Sequence, residues 1–208
     1  AHVLKVSETV WRQSNGAFDP TVGPLVDLWG FGPVPGDDVV PADDQIDRAL
    51  ASTGFQHMQL SEGRISKTSP VRLDLSAVAK GYAVDLVADL LEMLALPDYL
   101  VEVGGEMRLG GSNTQGKPWR IAVEQPSVIP QVQRIIELGD VAMATSGDYR
   151  NYFKVDGVRY SHTIDPRTGR PITHSLASVT VLAPTCAEAD AWATALSVLG
   201  AEQGLAVA

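Results

Sequence analysis

The chain has 208 residues, 45% of them hydrophobic and 20% charged, which is enough apolar material to build a core by burial alone. Its net charge of -9 argues against a nucleic-acid partner, which needs a basic face to neutralise phosphates, and a phosphate-bearing ligand would require local cations or a metal. The single cysteine, Cys186, excludes an intrachain disulfide and a thiolate metal cluster; no run of about 18 apolar residues is present to span a membrane.

The N-terminal "AHVLKVSETVWRQSNG" reads as an amphipathic helix, with Val3, Val6 and Val10 on one side, joined by Leu4 and Trp11, and Gly16 ending it. It lacks the cationic start and apolar core of a signal peptide. Residues 16 to 38, "GAFDPTVGPLVDLWGFGPVPGDD", hold too many Gly and Pro for a regular element, but their Phe, Leu, Val and Trp predict an ordered loop packed on the body. "PADDQIDRALASTG" predicts a short helix capped near Asp43 or Asp44 and closed by Gly54. Two strands are expected next, around "HMQL" and "VRLDLS", with a turn at "SEGR".

Residues 76 to 95, "SAVAKGYAVDLVADLLEMLA", carry apolar residues at helical period, with Asp85, Asp89 and Glu92 on the opposite, solvated face. Lys80 stands in the first turn, where the helix dipole disfavours a cation unless an anion lies nearby. From residue 99 the pattern becomes strands: "YLVEVGGEMRLGG", "WRIAVEQP", "VQRIIELG", "VAMATSG", "NYFKVDGVRYSHTI" with an Asp-Gly turn, and "SLASVTVLA". Hairpin-length connections predict a largely antiparallel sheet. Without repeats, linkers, a G-x-G-x-x-G or a Walker sequence, the chain reads as one α+β unit, a largely antiparallel sheet packed with helices.

The last helix begins in "PTCAEADAWATAL", where Thr185 and Glu188 have capping-box spacing after Pro184, and Cys186 is expected to be buried. Asp190 and Thr194, four apart, project from one face. Their alanine neighbours leave room near the backbone for a ligand or another chain. A carboxylate and a hydroxyl suit Mg²⁺; equally, Asp190 can favour the helix dipole while Thr194 bonds back to a carbonyl. In "SHTIDPRTGRP", Ile164 to Arg170 form a tight excursion at a strand end, with Arg167 and Arg170 expected in solvent. His162 beside it is either a general base or a hydrogen-bonded structural group. The glycines within "VEVGGEMRLGG" and "MATSGDYRNY" mark close approach of a ligand or simple bulges. The histidines at 2, 57, 162 and 174 show no paired zinc-ligand spacing.

Six segments in order, "FDPTVGPLVDLWGFG", "LDLSAVAKGYAVD", "LVEVGGEMRLGG", "ATSGDYRNYF", "SHTIDPRTGRPI" and "APTCAEADAWATAL", resemble the FAD:protein FMN transferases, the ApbE family of thiamine-biosynthesis lipoproteins. The resemblance runs from residue 16 to 199 and implies an ApbE-like fold as a single domain over 1–208. It implies a Mg²⁺-dependent enzyme that splits the pyrophosphate of FAD and attaches FMN to a threonine of a redox-protein target, releasing AMP. By the same resemblance Asp190, Thr194 and the carbonyl of Ala77 bind the metal. Asp19, Lys80 and the backbone of Ile164 contact FAD, and His162 activates the acceptor threonine or holds the loop that does so. Three alternatives are kept open. One is a variant that hydrolyses FAD to FMN and AMP, another a non-catalytic flavin-binding module, and the third a structural domain whose Asp190 only caps. Family members carry a further segment before the first helix, beginning with a lipoprotein signal, and usually a closing strand after "GLAVA"; this chain is expected to lack both. The expected location, by resemblance, is the periplasmic face of the inner membrane.

Overall fold

The computed structural model describes residues 1–34, 36, 38–61, 64–127, 129 and 131–208. The first helix, α1 (His2–Gln13), turns Val6 and Val10 toward the C-terminal helix and Leu4 toward a second cluster around Phe55 and Val71. The loop that follows is packed as expected, with Phe18, Leu25 and Trp29 buried. It is not wholly irregular, however, because residues Gly23–Leu28 form a six-residue helix, α2. Pro24 sits at its first turn, where a missing N–H costs nothing, so a Pro that reads as a breaker acts as a starter. Helix α3 (Asp43–Leu50) is capped by the Gln45 side chain, which accepts from the Ala42 N–H at 2.9 Å.

Strands β1 (Met58–Ser61) and β2 (Arg64–Lys67) pair antiparallel as a ribbon. The connection predicted at "SEGR" includes residues 62 and 63, outside the described set. The strand expected at "VRLDLS" does not form. Residues 71 to 75 bury Val71, with Leu73 and Leu75 packed against its cluster, but make no ladder; the Asp74 N–H goes instead to the Pro20 carbonyl at 2.6 Å. The alternation reported inward-facing side chains and said nothing of a strand partner.

Helix α4 (Ala79–Met93) is shorter than the span 76–95, with Ser76 to Val78 forming a turn before it. After it come β3 (Tyr99–Val103), β4 (Glu106–Gly110), β5 (Trp119–Glu124), β6 (Val132–Leu138), β7 (Val141–Gly147), β8 (Tyr152–Val155), β9 (Val158–Ser161), the short β10 (Ile164–Asp165) and β11 (Arg170–Pro171), and β12 (Ser178–Ala183). Every pairing among the described residues is antiparallel. They divide into one four-stranded sheet, ordered β12-β7-β4-β3, and four two-stranded ribbons. The β8–β9 turn is the expected Asp-Gly pair, with φ of 49° at Asp156 and 79° at Gly157.

The C-terminal helix α5 (Cys186–Val207) breaks its helical geometry at Gly200. Its alanines do not leave space for a ligand. Ala187, Ala191 and Ala195 pack with Val6, Val10 and Phe18, while Ala189 and Ala193 pack on Ala144 of β7. Small side chains here bring the helix close to both neighbours, which fixes the height of the polar residues between them. Among the described residues no helix is long and apolar enough to cross a membrane.

Candidate functional site

The N-termini of α4 and α5 meet at one point, and each helix supplies the other with a cap. Asp85 of α4 is buried and accepts from the Cys186 N–H at 2.8 Å and the Ala187 N–H at 2.9 Å. Thr185 takes the next two donors of α5, its hydroxyl accepting from Glu188 N–H and its carbonyl from Ala189 N–H. The N–H groups of residues 186, 187 and 188, which have no partner within the helix, are thereby met by side chains, and Ala189 makes the first regular helical bond. In return, Asp190 of α5 accepts from the Gly81 N–H in the first turn of α4 at 3.1 Å. Gly81 permits this crossing, since a Cβ there would overlap the Cys186 carbonyl.

Asp85 was expected on a solvated face with Asp89 and Glu92, and that expectation is corrected. Asp85 is a buried cap, and Arg108 from β4 bridges it to Asp89 at 2.8 Å and Glu92 at 3.1 Å on the exposed side. A carboxylate four residues from another on a helix reads as surface; only the long-range donors at residues 186 and 187 reveal otherwise.

Beside this junction lies a cleft of ≈ 790 Å³. It brings together six of the seven residues singled out from the sequence: Ala77 from the turn before α4, Lys80, His162, Ile164, Asp190 and Thr194. Asp19 is elsewhere. It lies against a separate cleft of ≈ 600 Å³, and its carboxylate accepts from the Thr21 N–H (2.8 Å), the Thr21 hydroxyl (2.6 Å) and the Phe55 N–H (2.9 Å). Asp19 thus ties the loop after α1 to the segment after α3. Arg167 and Arg170 are exposed, as expected, and pair there with Asp165 and Asp43, each at 2.7 Å. Trp29 donates its indole N–H to the Gly169 carbonyl at 2.8 Å, pinning the turn that separates β10 from β11 beside His162.

The electrostatics of the cleft floor are those of an excess anion. Asp190 is only 4% exposed, and burial pushes its carboxyl up from 3.8 to about 6; the Gly81 N–H and the Lys80 ammonium pull it down and the nearby Glu106 pushes it further up. Lys80 meets the anion its position called for, with its ammonium 2.5 Å from the Glu106 carboxylate. Two carboxylates and one ammonium leave one negative charge, mostly out of water. Thr194 does not bond back to its own helix; its hydroxyl lies 3.3 Å from that of Ser146 on β7. The Asp190 carboxylate and the Thr194 hydroxyl thus stand together at the cleft, with Ala77 also lining it; oxygen donors of this kind suit a hard divalent cation, which would offset the surplus charge. Among the described residues no three His, Cys, Asp or Glu side chains gather as a metal cluster, so that donor set rests on a single carboxylate.

Across the cleft, His162 Nδ1 lies 3.1 Å from the Asn151 carbonyl, which can only accept, so Nδ1 carries the proton and Nε2 keeps a lone pair. Burial lowers its pKa below the usual histidine value, against the opposing pull of that carbonyl and of Asp148. The ring is therefore neutral at pH 7 and able to accept a proton. Glu106, which also lines the cleft, went unremarked in the sequence. Its signal was a carboxylate straight after the Gly104-Gly105 pair, at the start of a strand.

The profile of the ApbE family matches residues 1–208. The chain is 56% identical over 197 residues to the FAD:protein FMN transferase of Vibrio cholerae, covering 94% of this chain and 59% of that protein. It is 46% identical over 209 residues to the enzyme of the same name from Escherichia coli K12, covering 98% and 60%. Among solved structures it superimposes on the flavin transferase ApbE of Vibrio cholerae with a TM-score of 0.90 and 52% identity, covering 99% of this chain and 66% of that one. The apo flavinyl transferase ApbE of Pseudomonas stutzeri gives 0.89 and 47%, covering 99% and 64%. The chain belongs to the ApbE family, and its mixed helical and antiparallel fold is that family's. It spans about three fifths of the length of the curated relatives it matches.

Proposed function

We propose that this chain is the core of a flavin transferase that cleaves FAD, releases AMP and attaches FMN to a threonine hydroxyl of a redox-protein target. The observation that carries this reading is the meeting of Asp190, Thr194 and Ala77 with His162 and Ile164 around one cleft. Relatives named FAD:protein FMN transferase at 46% to 56% identity support it. The metal in this reading is Mg²⁺, held by the Asp190 carboxylate, the Thr194 hydroxyl and the Ala77 carbonyl. When bound, it supplies charge neutralisation on the diphosphate and polarisation of the phosphorus under attack.

The chain's own residues then have separate tasks. Asp190 and Thr194 hold their oxygens on one face of α5, whose start is fixed by Asp85. Neutral His162, with Nδ1–H committed to Asn151, offers Nε2 to the acceptor hydroxyl and takes its proton as the oxygen attacks. Ile164 presents backbone at the cleft wall, and Lys80 offers ammonium hydrogens to phosphate oxygens. The working location proposed is outside the cytoplasm, on the periplasmic face of the inner membrane; fractionation of the intact protein tests it.

The decisive experiment incubates the protein with FAD, Mg²⁺ and a flavin-accepting domain, following AMP and the mass of the acceptor. Covalent FMN on the acceptor together with AMP is expected. AMP without protein-bound flavin would make it a pyrophosphatase, and no AMP at all would reduce it to a binding module. Asp190→Ala and Thr194→Val are each expected to weaken Mg²⁺ binding and abolish AMP release.

A further inference from the structure

Glu106 has no part in the scheme above, yet its side chain is only 3% exposed at the cleft floor. A buried carboxylate is unfavourable unless its lone pairs are met. One oxygen, Oε1, lies 2.5 Å from the Lys80 ammonium. The other, Oε2, is buried and has no hydrogen-bond partner among the described residues. Gly104, at φ +62°, folds the β3–β4 turn against the pair; a Cβ built there would stand 3.5 Å from Lys80 Cδ and 3.6 Å from Glu106 Oε2. Glu106 is thus enclosed by protein, while the Lys80 side chain remains 46% exposed and lines the cleft. An ammonium has three donors, and Glu106 occupies one of them.

We propose that Glu106 is a positioning residue: it clamps the Lys80 ammonium beside the Asp190–Thr194 face so that its remaining N–H donors receive the diphosphate of the substrate. This rests on the flavin-transferase reading of the same cleft and adds to it. A lysine in the first turn of a helix is repelled by the dipole and would otherwise extend into solvent. Glu106 offsets that repulsion and removes the search through side-chain rotamers that an unanchored lysine makes on binding. A diphosphate entering the cleft meets two carboxylates, Glu106 and Asp190, and the clamped ammonium offsets one of them.

The test is a binding cycle with metal removed by EDTA, so that nothing turns over. FAD and riboflavin, which shares the ring system but has no phosphate, are titrated by flavin fluorescence against the wild type, Glu106→Gln, Lys80→Met and the double variant. Each single variant is expected to weaken FAD by roughly three- to tenfold, as for loss of a charge-assisted hydrogen bond, and to leave riboflavin within about twofold. The double variant should bind FAD as weakly as the poorer single variant and no more weakly. Multiplicative losses in the double variant, or equal losses for riboflavin, overturn the proposal. So does a fall in Mn²⁺ affinity on adding Glu106→Gln to Lys80→Met, which would make Glu106 a metal ligand. Glu106→Asp, too short to reach the ammonium in the same way, provides the comparison should the Gln variant fail to fold. Failure of the transferase reading would show separately, as no AMP from wild-type protein with FAD and Mg²⁺.

Discussion

Replacing Asp190 by asparagine should stabilise the metal-free protein while destroying the proposed Mg²⁺ site. The carboxyl is pushed up from 3.8 to about 6 by burial, so the folded chain holds the proton more tightly than the unfolded chain does. For an acid shifted upward, the destabilisation is absent below the unfolded value near 3.8, grows through the interval to about 6 and is complete above it. Above pH 6 the ionised carboxylate therefore costs the fold about 3 kcal/mol. Asparagine keeps the shape and an acceptor oxygen for the Gly81 N–H but carries no charge. In EDTA at pH 7.5, Asp190→Asn should gain about 2–3 kcal/mol and melt roughly 5–10 °C higher, a gain that disappears by about pH 4. Magnesium should reverse the order, because the wild type alone gains by binding it. Calorimetric melts across pH 4 to 7.5, with EDTA or excess Mg²⁺, read all of this. A variant less stable than wild type at pH 7.5 in EDTA, or a difference that does not change with pH, would refute the reasoning.

Asp85→Asn removes one of the two acceptors that cap α5 and turns an amide N–H toward a backbone donor, so it should lower stability by about 2–3 kcal/mol in urea unfolding; a loss under about 0.5 kcal/mol would mean that the cap is dispensable. Transfer should slow as pH falls through a value below the usual 6.5 of histidine, because burial keeps His162 neutral. His162→Ala should flatten that limb and reduce the rate by about 10²–10⁴ without loosening FAD; an unchanged profile would remove His162 from proton transfer. Trp29→Phe breaks the indole bond to Gly169 and should cost about 1–2 kcal/mol, measured by thermal melting. The Cys186 thiol, buried and pushed well above its ordinary range, should resist alkylation at pH 8, and rapid labelling would show that the first turn of α5 opens.

Periodicity and turn chemistry located most elements. The Asp-Gly turn separates β8 from β9 as expected, and Thr185 begins α5 by accepting from Glu188 N–H; Gly104-Gly105, expected as a bulge or a ligand approach within one run, is instead the turn between β3 and β4. These signals are local, so the sequence displays them. What sequence reading missed depends on partners far along the chain. The alternation of Val71, Leu73 and Leu75 produces an inward edge without a strand neighbour. Pro24 starts α2 because its surroundings let it. Asp85 and Asp89 look alike at helical spacing, yet one is buried beneath Arg108 and the other is exposed. Asp190 stood out as a carboxylate among alanines, whereas Glu106 hid in a strand because its partner lies across the fold at Lys80.

The mutual capping of α4 and α5 has a consequence for how the protein acquires its site. The bonds from Asp85 to residues 186 and 187 span 101 and 102 residues, and that from Gly81 to Asp190 spans 109. Neither helix can satisfy its own beginning before the chain between them has closed a loop of that length, a step that comes at an entropic cost and slows folding. The face bearing Asp190 and Thr194 is therefore expected to form late in folding, when the two helices lock. A nascent or partly unfolded chain would have the residues of the site but no geometry to hold a cation, so metal uptake should report that the last long-range contact has been made.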